Sequence, residues 1–301
     1  MSATRDLIAR LRRRLGEDKP LAAAMPATVL TPPPRRVFPT VKRQSEFARG
    51  ASVHTTALVG IGHVGTRYST DVALQFQAEL AVAHSAVASS LPADWRTQHE
   101  LLPIETQARD HQEYLLRPDL GRRLANESHA RLERDALKDV DVQPILADGL
   151  SAQACVESGL EVLQVLTSEC ERRGWSVGTP MCARHARVWL EDEIGAVVRA
   201  KISVIILGER PGLGTGDGLS AYMVYSPAIG KTDGDRNMIS NIHERGISPV
   251  SAARRLAGLA GAMLEQEVSG VRLDLSKLQG EMTSTMLRAP QVRKPLVETD
   301  R

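Results

Sequence analysis

The chain has 301 residues and 32.8 kDa, with 42% hydrophobic and 25% charged residues, a balance that suits a soluble globular protein with a sizeable core. Aromatic content of 3% leaves few stacking platforms for single-stranded nucleic acid, and no apolar run approaches the ~18 residues that suggest a membrane span. The net charge of +2 hides an asymmetry: residues 1–50 carry 11 Lys/Arg against 4 Asp/Glu and the rest carry 27 against 32, so the basic excess lies in the leader and speaks against a nucleic-acid surface on the folded body.

Residues 4–15, TRDLIARLRRRL, form a short amphipathic helix candidate with Leu7, Ile8, Leu11 and Leu15 on one face. Pro20, Pro26, Pro32, Pro33, Pro34 and Pro39 make residues 16–40 a linker, and the globular boundary is placed near Gly50. No secretory signal is expected. Cys155, Cys170 and Cys182 form no CxxC pair, so neither a zinc site nor a disulfide framework is indicated, and a reducing cytoplasm follows.

Gly60, Gly62 and Gly65 match G-x-G-x-x-G. No convincing strand precedes them and no acidic residue follows at the right distance, so a stand-alone nucleotide-binding oxidoreductase is only the alternative reading. The glycines are expected to shape a turn before a helix capped by Thr70, with Val72, Phe76, Leu80, Ala83 and Val87 inward and His84 structural. Pro118 is expected to open a helix with Leu120, Leu124, Leu132 and Ala136 as its stripe.

Val140 to Ala147 reads as a strand, Asp148-Gly149 as its turn, and Ser151 as the cap of a helix closed by Gly174. Asp148 is a ligand-site candidate or a turn-forming Asx residue. Further strands are expected near Trp175-Ser176-Val177 and at Val188-Trp189-Leu190. His185 lies near two cysteines at a spacing that suits no zinc pattern.

Ile202 to Leu207, apolar except at Ser203, has the length and character of a strand buried on both faces. The turn from Gly208 to Gly214 follows, then a β-prone run from Leu219 to Tyr225. Glu209 and Arg210 therefore stand where a buried strand breaks open, at the carboxyl edge that binds ligands in open α/β sheets. Gly230-Lys231-Thr232 lacks the earlier glycine of a phosphate loop. Ser248-Pro249 starts a long helix with Leu256, Leu259, Met263 and Leu264 inward and Gly270 at its end, and residues 271–301 read as a polar tail. The β-α-β order points to a doubly wound α/β sheet.

RPDLGRRL at 117–124, DVQPILADGLSAQA at 141–154, VGTP at 177–180, RVWLEDEIG at 187–195, ILGERPGLG at 206–214, YSP at 225–227, DRNMISNIHERG at 235–246 and LEQEVSG at 264–270 together resemble the small (light) subunit of ethanolamine ammonia-lyase, over roughly Leu58 to Gly270. The resemblance implies a Rossmann-like doubly wound sheet, with a leader and linker at 1–50, a mainly helical part at 51–140, a cobalamin-binding domain at 141–270 and a tail at 271–301. It implies adenosylcobalamin, base-on, at the interface with a large catalytic subunit, and conversion of ethanolamine to acetaldehyde and ammonia by radical amino migration. No catalytic residue is assigned to this chain. The cofactor contacts carried over are Val188, Glu209 and Met238, the last at a position where relatives often have cysteine. Asn241-x-His243-x-x-Gly246 resembles the D-x-H-x-x-G signature of cobalt-ligating histidine, but Asn241 replaces its carboxylate, so His243 is not taken as a ligand. Relatives are packed into bacterial microcompartments by N-terminal helices, which gives residues 4–15 a shell-protein partner as their expected role.

Overall fold

The computed structural model describes residues 28–29, 46–51, 59–92, 94–213, 216–244 and 246–278. The amphipathic stretch 4–15, most of the Pro-rich linker and the tail from residue 279 lie outside the described residues.

Six strands form the main sheet: β1 (Leu102–Glu105), β2 (Val142–Ala147), β3 (Met181–Arg184), β4 (Ile202–Gly208), β5 (Leu219–Tyr225) and β6 (Arg236–Ile242). Their order is β1-β3-β2-β4-β5-β6; the first four run parallel, β5 runs against them, and β6, paired antiparallel to β5, runs in their direction again. Thr28–Val29 pairs in parallel with Ser89–Ser90, apart from this sheet. Because β1 is a neighbour of β3, the sheet draws on residues from both sides of position 140.

The apolar run of β4 is explained by its surroundings. Every residue from Ile202 to Gly208 is buried, and β2 and β5 flank it on either side. Ile202, Val204 and Ile206 face one core cluster, Ile205 and Leu207 the other, as the period of two requires. The first cluster packs against α4 (Leu160–Arg172) and α6 (Pro249–Gln266), the second against α3 (Asn126–Asp135) and α5 (Leu190–Val198). Helices therefore cover both faces of a mostly parallel sheet, the doubly wound α/β arrangement expected from the sequence.

Several local expectations are corrected. Pro118 opens no helix: Leu120–Arg122 is a single 3-10 turn, and α3 begins only at Asn126. Trp175 to Val177 contributes one isolated bridge, Val142 to Val177, because Ser176 and Asp141 lock each other through side-chain and backbone bonds of 2.8–3.0 Å. The strand after α4 is instead Met181–Arg184, and Val188-Trp189-Leu190 is the entry to α5, not a strand. The helix α1 (Thr70–Val87) is preceded by Ser69 rather than capped by Thr70. Its inward stripe is Val72, Gln75, Glu79, Ala83 and Ala86, while Leu80 is exposed; Gln75 Nε2 donates to Glu79 Oε1 at 2.7 Å. Finally, α6 stops at Gln266 with Glu267 in a left-handed conformation, and Gly270 begins a separate 3-10 turn.

Other readings hold. Ser151 accepts the Ala154 N–H at a helix start, Ser248 accepts that of Ser251 with Pro249 next to it, and Gly174 closes α4 at φ +79°. No helix among the described residues is long and apolar enough to cross a membrane.

Candidate functional site

Parallel strands place all their carboxyl ends on one edge, so the loops after β1, β2, β3 and β4 meet there. The loops after β2 and β4 interlock closely. Leu150 N donates to Gly208 O at 2.9 Å. A Cβ on Gly149, whose φ is +56°, would lie 2.2 Å from the Gly208 carbonyl, and one on Gly208 would lie 2.2 Å from the Ser151 carbonyl. The Ser151 hydroxyl donates to Gly216 O at 2.7 Å, tying the segment beyond Glu209 to the same edge.

Glu209 is half-buried as the chain leaves β4, and its N–H donates to Gly218 O at 2.9 Å. The Ser220 hydroxyl, itself buried, donates to Glu209 Oε1, and Asn241 N lies 3.5 Å from the same oxygen. Oε2 takes no hydrogen bond among the described residues. One oxygen of the carboxylate is thus held and the other left over.

Met238 is 49% exposed on the edge strand β6, directly opposite Tyr222 on β5. Cross-strand partners point to the same side of a sheet. Tyr222 and Val188 both pack, half-buried, against the core cluster that α5 covers. Burial raises the Tyr222 phenol above its ordinary range. Ser220 lies two residues before Tyr222 and so on the same face as its neighbour. Val188, Glu209 and Met238, far apart in sequence, therefore share the α5 side of the sheet, where the strands beyond β4 present Met238 to solvent.

Asp148 opens the expected turn through its backbone, its carbonyl accepting the Ser151 N–H at 3.2 Å, while its side chain closes no local Asx turn. Its Oδ2 accepts the His185 N–H at 2.9 Å and its Oδ1 that of Ala186 at 3.3 Å. Burial pushes its carboxyl up, against the pull of those donors. His185, 6% exposed and at φ +54°, stacks on the Tyr114 ring with centroids 5.6 Å apart. The Tyr114 hydroxyl reaches Gly149 O at 2.7 Å and Ala186 O at 3.0 Å. Nearby, burial lowers the His111 imidazole. Among the described residues no group of three or more His, Cys, Asp or Glu is arranged to hold a metal ion.

His243 is 2% exposed, with Nε2 2.6 Å from Asn241 Oδ1, in a turn so tight that a Cβ on Gly246 would lie 2.3 Å from Asn241 O. Gly60, Gly62 and Gly65 all have positive φ and lie at a surface turn closed by Val64 and Arg67; none of the six strands leads into it. Among the described residues no strand of the kind a dinucleotide loop requires precedes that turn; residues 52–58, directly before it, lie outside them.

The family model for the ethanolamine ammonia-lyase light chain matches residues 46–274. The chain belongs to that family. As a light chain of a lyase, it works as one subunit beside a larger partner. The quoted motifs of this light chain now have structural places. RPDLGRRL packs Gly121 against the His185 carbonyl, ADGL forms the exit of β2, and RVWLED carries the chain into α5. DRNMIS runs along β6. Sequence reasoning passed over Tyr114, Ser220 and Arg236, because their partners are 11 to 72 residues away and no spacing rule links them.

Proposed function

We propose that the light chain supplies half of the site for adenosylcobalamin, at an interface with a large subunit that holds the substrate pocket, in an enzyme converting ethanolamine to acetaldehyde and ammonia. The observation that carries this reading is the common face of Val188, Glu209 and Met238. A corrin is a broad apolar disc fringed with amides. Val188 offers an apolar wall, and Glu209, with Oε1 held by Ser220 and Oε2 unengaged, offers an acceptor for an amide N–H. Met238 adds an exposed, adaptable apolar contact at the rim. Bound adenosylcobalamin supplies the radical initiator through its cobalt–carbon bond. The chain's own residues bind and orient it; none is assigned to proton transfer, and His243 is engaged by Asn241 instead of being offered as a ligand.

The test is co-purification with the large subunit, followed by ammonia release with and without adenosylcobalamin and a cofactor titration of the Glu209→Ala variant. Assembly with weakened cofactor affinity is expected. Unchanged affinity removes Glu209 from the site, and an isolated light chain that deaminates ethanolamine unaided overturns the reading.

Residues 4–15 are assigned, on the same footing, to packaging of the enzyme within a cytoplasmic microcompartment through shell proteins. A fluorescent protein carrying residues 1–20 should gather into foci when shell proteins are co-expressed; diffuse fluorescence counts against this.

A further inference from the structure

We propose that Asp148 is a positioning residue for the cofactor wall, acting through the loop that ends in Val188. The inference rests on the reading of Val188 given above. The segment from His185 to Arg187 joins β3 to the approach of α5, and it is pinned from several sides. Asp148 takes the consecutive N–H groups of His185 and Ala186. The Thr106 hydroxyl donates to His185 O at 3.1 Å, and the Tyr114 hydroxyl to Ala186 O. Arg187 N donates to Gly121 O at 2.8 Å, and its guanidinium lies 4.3 Å above the Tyr114 ring. Gly121 approaches so closely that a Cβ there would lie 2.7 Å from His185 O.

This carboxylate is the acceptor for two consecutive buried backbone N–H groups of the loop. A side chain in water-poor surroundings that accepts two backbone N–H groups costs solvation, and the loop it holds contains a non-glycine residue in the left-handed region. The arrangement fixes the direction in which the chain leaves Arg187. Val188 is the next residue, followed by Trp189 and the first turn of α5. Asp148 stands on β2's exit, one residue before the Gly149 that interlocks with Gly208. It therefore sets the Val188 loop against the exit of β2, which interlocks through Gly149 and Leu150 with the β4 exit that carries Glu209. Two of the three proposed cofactor contacts keep their spacing through this one carboxylate.

The experiment uses the assembled complex with its large subunit, with adenosylcobalamin affinity read from the cofactor's visible spectrum. D148N keeps the side chain's shape and loses one acceptor, and it should raise the cofactor Kd about five- to tenfold in the assembled fraction. T106V removes a different bond to the same loop and should raise it about threefold. In the cofactor-free complex, D148N should speed amide exchange at His185 and Ala186. In a V188A background, D148N should add little further loss of affinity, because it acts through that position. If V188A alone leaves the Kd unchanged, the reading of Val188 fails. If V188A weakens binding while D148N leaves the Kd unchanged, or multiplies fully with V188A, the positioning role fails. Should D148N not assemble, an unchanged Kd in T106V overturns the proposal by itself.

Discussion

Arg236 on the edge strand grips Asp192 in the first turn of α5 fork to fork, with Nη1 3.0 Å from Oδ1 and Nη2 2.5 Å from Oδ2. Nη1 also donates to Glu191 Oε1 at 2.6 Å, and all three side chains are almost fully buried. The two carboxylates favour the helix N-terminus, but together they exceed the single cation. Burial is the larger effect and pushes the Glu191 carboxyl up to about 8, against the attraction of Arg236. A carboxyl of ordinary value 4.5 in the unfolded chain and about 8 in the folded one binds more protons when folded throughout that window. The Glu191 contribution to stability is therefore complete below pH 4.5 and declines as pH rises through about 8. E191Q should remove this part of the slope. Melting temperatures of both forms measured across that window should converge at its acid end and separate, with E191Q higher, at its alkaline end.

Removing the cation has the opposite character. R236M leaves the Asp192 carboxylate buried without a counter-charge and Glu191 without its hydrogen-bond donor, and loss of one partner from such a cluster costs about 3–5 kcal/mol. Adding E191Q and D192N to R236M should recover a large part of that loss in urea denaturation. Equal stability of the single and triple variants would mean that Arg236 contributes by packing against Trp189, 5.9 Å from its guanidinium, and not by charge.

At the proposed cofactor site, Ser220 offers a gentler probe than Glu209. Its hydroxyl is buried and donates to Glu209 Oε1, so S220A keeps the carboxylate and frees its orientation. Loss of a hydrogen bond to a charged group is worth about 1.5–3 kcal/mol at most, and part of it returns through water at this half-buried position. The adenosylcobalamin Kd of the assembled enzyme should rise less in S220A than in E209A. A larger effect of S220A than of E209A would place the ligand contact on Ser220.

The parts of this fold that were legible are those where one physical demand acts alone. Ile202 to Leu207 is apolar at every position but Ser203 because both of its faces are covered, and Ser248-Pro249 reads as a helix start because cap and proline agree. The parts that misled are those where tertiary contact overrides a local signal. Pro118 has the form of a first-turn proline, yet the bridge from Leu124 to Thr106 draws the chain extended, and Gly121 is pressed on His185. Val188 to Leu190 is apolar enough for a strand, but the acidic run that follows belongs to a helix N-terminus whose charges answer Arg236 on another element. In α1 the phase is off by one residue, since Gln75 and Glu79 lie inside, Gln75 Nε2 donating to Glu79 Oε1, while Leu80 faces out. Glu209 was placed at a sheet edge from sequence, but the Ser220 clamp that orients it depends on the β4–β5 pairing.

Gly208 separates the demand for space from the demand for unusual backbone. Its φ is not in the left-handed region, so residue type there is set by the carbonyls of Ser151 and Asp148, which a Cβ would meet at 2.2 and 2.6 Å. Both are backbone atoms in a loop fixed by its bonds to Gly208 and Ala183, and they cannot swing aside as a side chain would. G208A should therefore cost about 3 kcal/mol, the upper end of overpacking, and should also part the Asp148 loop from Glu209. Gly174 makes the contrast: its φ is +79° but no atom lies within 4 Å of its missing Cβ, so G174A should cost only about 1 kcal/mol for conformation. Urea denaturation of the two variants ranks the effects. If G174A proves the more damaging, the interlock of the two strand exits is looser than their carbonyl positions require.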